Sequence, residues 1–148
     1  MKIQDSRIIE NFPAWKESRE LNRLVNTSIC NLRTESSPFS DRNNLAYFSE
    51  SIMSETAVIF EKIQTDMGLR NIEGTIEKIA MMKSRLYSMF DTGHVKKDAF
   101  SEVLIRLNRV RAELETVRKK LVKLASKKKV SRENPTAELK DRNDRKQI

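Results

Sequence analysis

The sequence is poor in the residues that most often carry chemistry. Its 148 residues hold one Cys, one His, one Trp, three Gly and three Pro. A zinc site of the Cys/His type needs four ligands, and a disulfide within the chain needs two cysteines. Both are excluded. The three glycines stand apart at Gly68, Gly74 and Gly93, so there is no glycine cluster to wrap a dinucleotide or a phosphate. No apolar run approaches the ~18–20 residues of a membrane span. No signal-peptide pattern opens the sequence, and the expectation is a cytoplasmic protein without a membrane span. What is abundant is charge, at 34% of residues. High charge with few helix breakers is the composition of long helices.

The formal charge of +8 is unevenly placed. The 29 Lys+Arg divide 17 to 12 between residues 1–117 and 118–148, and the 21 Asp+Glu divide 17 to 4. The first 117 residues are therefore neutral, and the whole excess lies in the last 31. Charge of this kind speaks to partners rather than to fold.

Hydrophobic spacing gives four helices. Residues 1–11 are polar and aperiodic and read as a flexible lead-in. Pro13 suits a first helical turn, where its missing N–H costs nothing, with Asn11 as a cap. Trp15, Ser18, Leu21, Val25, Ser28 and Leu32 then recur at three- and four-residue steps. Residues 34–41 read as a connection, with Ser40 or Asp41 capping a second helix that runs to about Met67. Its main face is Leu45, Phe48, Ile52, Ile59 and Ile63. A second apolar strip of Ala46, Met53, Ala57 and Phe60 suggests burial on two sides or a subunit contact. Gly68 is expected to close this helix in the left-handed conformation, and Asn71 to cap the third, whose stripe is Ile72, Ile76, Ile79, Met82, Leu86 and Met89. Gly93 is expected to stop the third helix. From near Lys97 the fourth carries Phe100, Val103, Leu107, Val110, Leu114, Val117, Leu121 and Leu124, a seam of coiled-coil type. The expected architecture is an all-α, antiparallel up-down four-helix bundle over residues 12–129. A basic tail, residues 130–148, is too polar to offset its ordering entropy and is expected to be disordered.

Three stretches carry a resemblance to a known family. Phe12-Pro-Ala-Trp15-Lys16-Glu-Ser-Arg-Glu20-Leu21, the turn Leu86-Tyr87-Ser-Met-Phe90-Asp-Thr-Gly93-His94-Val95 with the following Phe100, and the long last helix resemble the bacterial four-helix-bundle family of 23S rRNA intervening-sequence proteins. That family is related to accessory proteins of diversity-generating retroelements. The resemblance spans roughly residues 12–122. The second helix departs from the family's pattern of small and polar residues, reading Ser51-Ile-Met-Ser-Glu-Thr-Ala-Val-Ile-Phe-Glu-Lys-Ile-Gln. The resemblance implies a non-enzymatic homo-oligomer, often a pentamer. For the retroelement branch it also implies a basic surface that meets nucleic acid and a reverse transcriptase.

Few single residues qualify as catalytic. His94 has no second His or neighbouring Cys in sequence and reads as a turn residue. Cys30 reads as a buried thiol. Glu73 and Glu77 share a helix face beside Lys78, and Glu113 and Glu115 point to different faces, so both pairs read as solvated. Met81, Met82 and Met89 read as core filling, and Trp15 as an anchor. No catalytic, cofactor or metal site is expected.

The basic end stands out. Arg118, Lys119, Lys120, Lys123, Lys127, Lys128, Lys129 and Arg132 form a cluster longer than the helix dipole rewards, since that effect fades within the last turn. These residues are the expected nucleic-acid contacts, acting on phosphates. No aromatic interleaves with them, so base stacking and sequence specificity are not expected. The alternative is a scaffold whose basic tail binds an acidic protein partner. Attachment to a membrane surface through Leu121, Val122 and Leu124 ranks third.

Overall fold

The computed structural model describes residues 8–30, 39–63, 65 and 67–133, with side chains over 8–29, 44–63, 65 and 67–130. Among these residues the regular structure is all helical. A short 3-10 turn, Ile9–Asn11, leads into α1 (Pro13–Leu24), which continues as a π-helical segment, Val25–Cys30. Then follow α2 (Phe39–Lys62), α3 (Met67–Asp91) and α4 (Lys97–Glu133). Part of the expected loose lead-in is thus an ordered turn, and residues 1–7 lie outside the described set.

Each helix packs on two others in a closed ring, α1 on α2 and α4, and α3 on α2 and α4. The core between them is made of the spaced apolar residues. Leu21, Leu45, Ile52, Ile59, Ile72, Ile79, Met82, Leu86, Met89, Leu107 and Leu114 are all essentially free of solvent. The second apolar strip of α2 is half-buried, and its Phe60 ring lies 5.5 Å from Phe12, next to α1.

Local signals explain several boundaries. Pro13 occupies the first turn of α1, as expected. The cap is Phe12 rather than Asn11, and Phe12 makes no side-chain capping bond but is itself buried. Gly93 adopts a φ of 78°. Its N–H donates to the Phe90 carbonyl at 3.0 Å and that of His94 to the Met89 carbonyl at 2.8 Å. This pair of bonds is a Schellman closure, which a glycine in the left-handed region permits. In the π-helical segment, Asn26 Nδ2 donates to the Asn22 carbonyl at 2.9 Å and Thr27 Oγ1 to the Arg23 carbonyl at 2.9 Å. Side chains there satisfy carbonyls at the point where the α register gives way.

Gly68 departs from expectation. It is not left-handed, because Gly93 is the one positive-φ glycine among the described residues. α2 ends at Lys62, and Gly68 lies buried in the first turn of α3. A Cβ there would sit 3.0 Å from the Lys62 carbonyl oxygen and 3.4 Å from Leu121 Cδ1. Its smallness serves a close approach, not a helix stop. Asn71 is accordingly inside α3 and not its cap, and α2 begins at Phe39, before Ser40 and Asp41.

Polar side chains tie the helices in register. Ser18 Oγ and Thr56 Oγ1 lie 2.8 Å apart in the buried interior between α1 and α2. Asn22 Nδ2 donates to Ser49 Oγ at 3.1 Å. Glu55 on α2 accepts from Thr75 Oγ1 at 3.0 Å and pairs with Lys78 of α3, whose Nζ also donates to Ser51 Oγ at 2.7 Å. Arg106 of α4 pairs with Glu17 of α1 at 2.6 Å. Partners so specific penalise sliding of one helix along another, because a slip leaves half-buried polar groups unpaired.

Candidate nucleic-acid interface

α4 has 37 residues and α3 has 25. At ~1.5 Å per residue these are about 55 Å and about 37 Å. The seam of α4 is buried from Phe100 through Leu114, half-buried at Val117 and Leu121, and open at Leu124, which is 54% exposed. Every described residue from Val122 to Val130 is exposed. The helix therefore leaves the bundle at about Leu121 and overhangs it. The overhang stays helical to Glu133, beyond the expected limit at residue 129. Lys, Arg, Leu and Ala are good helix formers on their own. The remainder of the expected disordered tail, residues 134–148, lies outside the described set.

The basic residues sit on this departing end. Arg118 is half-buried, and its Nη1 lies 3.7 Å from Glu115 Oε1. Lys119, Lys120, Lys123, Lys127, Lys128 and Lys129 are all exposed. Arg132 is in the helix, but its side chain falls outside the described set. Lys119, Lys123 and Lys127 follow at four-residue steps, and Lys120 adjoins them. At ~100° per residue Lys119 and Lys123 lie about opposite Leu121, and over its ~12 Å the row turns by about 80°, so that Lys127, like Lys120, comes within about 60° of Leu124. No acidic residue occurs between Glu115 and Glu133. The stripe is a one-sign surface, suited to a polyanion.

The other candidates separate. His94 lies in the α3–α4 turn, with Nδ1 3.1 Å from Thr92 Oγ1. The Cys30 side chain lies outside the described set. Glu73 and Glu77 are exposed, and no group of three His, Cys, Asp or Glu among the described residues is arranged to hold a metal ion. Met82 and Met89 are core residues, but Met81 is 56% exposed, since it lies on the outer face of α3. Trp15 is half-buried, with the Arg19 guanidinium 5.4 Å from its ring centroid. On the same surface Glu20 is hydrogen-bonded by Arg23, and this bond lowers its carboxyl from its ordinary value. The reciprocal effect raises Arg23. Glu55, Lys78, Glu17 and Arg106 carry no signal of their role in the sequence, because each partner lies on a different helix.

No family model, no curated protein and no solved structure matches the chain. No helix among the described residues is long and apolar enough to cross a membrane.

Proposed function

We propose that the chain is a non-enzymatic accessory protein that binds the phosphate backbone of RNA or DNA through the overhanging end of α4. The observation that carries this reading is the exposed stripe of Lys119, Lys120, Lys123 and Lys127 on a helix with no acidic residue between Glu115 and Glu133. Arg118, Lys128, Lys129 and Arg132 extend its field. A rigid row of ammonium groups displaces condensed counterions from a nucleic acid and gains affinity from their release. Absence of aromatics from the row makes the binding indifferent to sequence.

The rest of the proposal follows the resemblance to the rRNA intervening-sequence and retroelement accessory proteins. The helices run up and down in antiparallel order, the bundle is a homo-oligomer of pentameric type, and a reverse-transcriptase-like enzyme in the bacterial cytoplasm is the protein it assists. Oligomerisation multiplies a weak phosphate contact by avidity.

The test is fluorescence anisotropy with labelled RNA and DNA duplexes at about 50 mM salt. The chain is compared with a variant carrying Lys119→Gln, Lys120→Gln, Lys123→Gln and Lys127→Gln. All four side chains are exposed, so the fold is retained. The proposal expects binding by the parent chain and a loss of about tenfold or more in the variant. Equal binding by both overturns it.

A further inference from the structure

Where α4 departs from the bundle it leaves a notch on its seam side, against the corner between α2 and α3. Ile63, Leu69, Leu121, Leu124 and Ala125 supply the apolar lining, and Lys128 is the one charged side chain among the described residues that line it. We propose that this notch docks an acidic amphipathic helix from a protein partner.

The seam supplies the first argument. Leu121 and Leu124 continue the three–four spacing of Leu107, Val110 and Leu114, yet Leu121 meets only the first turn of α3 and Leu124 is 54% exposed. A spacing of this kind is complemented by a helix carrying apolar knobs at the same period. Size gives the second. The notch holds about 290 Å³ and is open on one side, at the lower limit of the ~300–1,000 Å³ pockets that enclose small ligands. It suits a few side chains of a larger partner better than a metabolite.

Charge selects the occupant. Lys128 lies within the notch, and Lys127 and Lys129 lie beside it with no carboxylate on this stretch of α4. A second copy of the same overhang would bring like charges together, which is repulsive. A helix with leucines on one face and Asp or Glu on its flanks fits both the apolar floor and the basic rim. A nucleic acid offers no apolar knob for Leu121 and Leu124, and of the lysine row Lys119 and Lys123 lie about opposite Leu121 on the helix. The lysine row adjoins the notch at Lys127, but the floor of the notch is apolar, and this inference does not rest on the nucleic-acid reading.

The probe is a fluorescein-labelled peptide of about 20 residues, long enough to be helical, with leucines at i, i+3, i+4 and i+7 and glutamates on the flanks. Its control has the same composition in scrambled order. The full chain is expected to bind the amphipathic peptide at least about tenfold more tightly than the scrambled one, a difference of about 1.4 kcal/mol. Leu124→Gln is expected to abolish that preference. Because Leu124 is 54% exposed, the variant keeps the parent's helical circular dichroism and its binding to an RNA duplex. Equal binding of the two peptides, or no effect of Leu124→Gln, overturns the proposal. So does a fall in light-scattering mass in Leu124→Gln, which assigns the notch to a subunit contact. Sedimentation with phosphatidylglycerol vesicles that is lost in Leu124→Gln overturns it in favour of a lipid surface. RNA binding without peptide binding overturns this proposal alone, and the converse overturns the nucleic-acid reading alone.

Discussion

Leu107 and Leu124 occupy the same seam of α4, and the two should respond very differently to truncation. Leu107 is 0% exposed at the centre of the bundle, and Leu124 is 54% exposed beyond it. Leu107→Ala removes three carbon atoms from a fully packed site. The lost transfer energy is about 2.4 kcal/mol at ~0.8 kcal/mol per methylene. The unfilled space adds to it, placing the total in the range of about 2–5 kcal/mol. At Leu124 half of the side chain already faces water and no enclosed cavity forms. Alanine is also the better helix former by a few tenths of a kcal/mol. The net cost there is under about 1 kcal/mol. Urea unfolding followed by circular dichroism at 222 nm reads both. With a slope of about 2 kcal/mol/M, Leu107→Ala moves the midpoint down by at least about 1 M and Leu124→Ala by less than about 0.5 M. Similar shifts for the two variants would refute the conclusion that α4 leaves the bundle near Leu121. A loss below about 0.5 kcal/mol at Leu107 would refute its place in the core.

Gly93→Ala forces a side chain into the left-handed region at a φ of 78° and should lower stability by about 1–2 kcal/mol, read in the same urea titration. The Ser18–Thr56 contact is buried at 2.8 Å, so a double-mutant cycle with Ser18→Ala and Thr56→Val should give a coupling of about 0.5–1.5 kcal/mol; additivity would show that the hydroxyls do not interact. The Glu20 carboxyl is held low by the hydrogen bond from Arg23. A carboxyl depressed in the folded state contributes stability above its unfolded value, and loses it as pH falls through the folded one. Glu20→Gln should therefore flatten the acid limb of the stability–pH curve slightly, and less so in high salt because the pair is exposed. An unchanged acid limb at low salt would contradict it.

Four helices were legible in the sequence because amphipathic spacing reports which face of a helix is apolar. Pro13 and Gly93 were legible because each has a purely local reason for its place. Spacing does not report what lies opposite a face. The seam of α4 keeps its period through Leu124, yet α3 is 12 residues shorter, so its last leucine meets solvent. Gly68 was misread because a helix stop and a close helix approach both select glycine, and tertiary contact with the Lys62 carbonyl and Leu121 decides between them. The Glu55–Lys78 and Glu17–Arg106 pairs were invisible because their partners lie 23 and 89 residues apart. The basic cluster was evident from charge counts, but its placement on a projecting helix, with lysines around an apolar notch, depends on where the bundle ends.

The most direct test of the central claim is the salt dependence of duplex binding by the full chain. If the basic end meets five or six phosphates, log K falls against log salt with a slope of about −5, and each lysine-to-glutamine change within the Lys119–Lys127 stripe reduces that slope by about 0.9. A flat salt response, or a slope that the lysine substitutions leave unchanged, would contradict it.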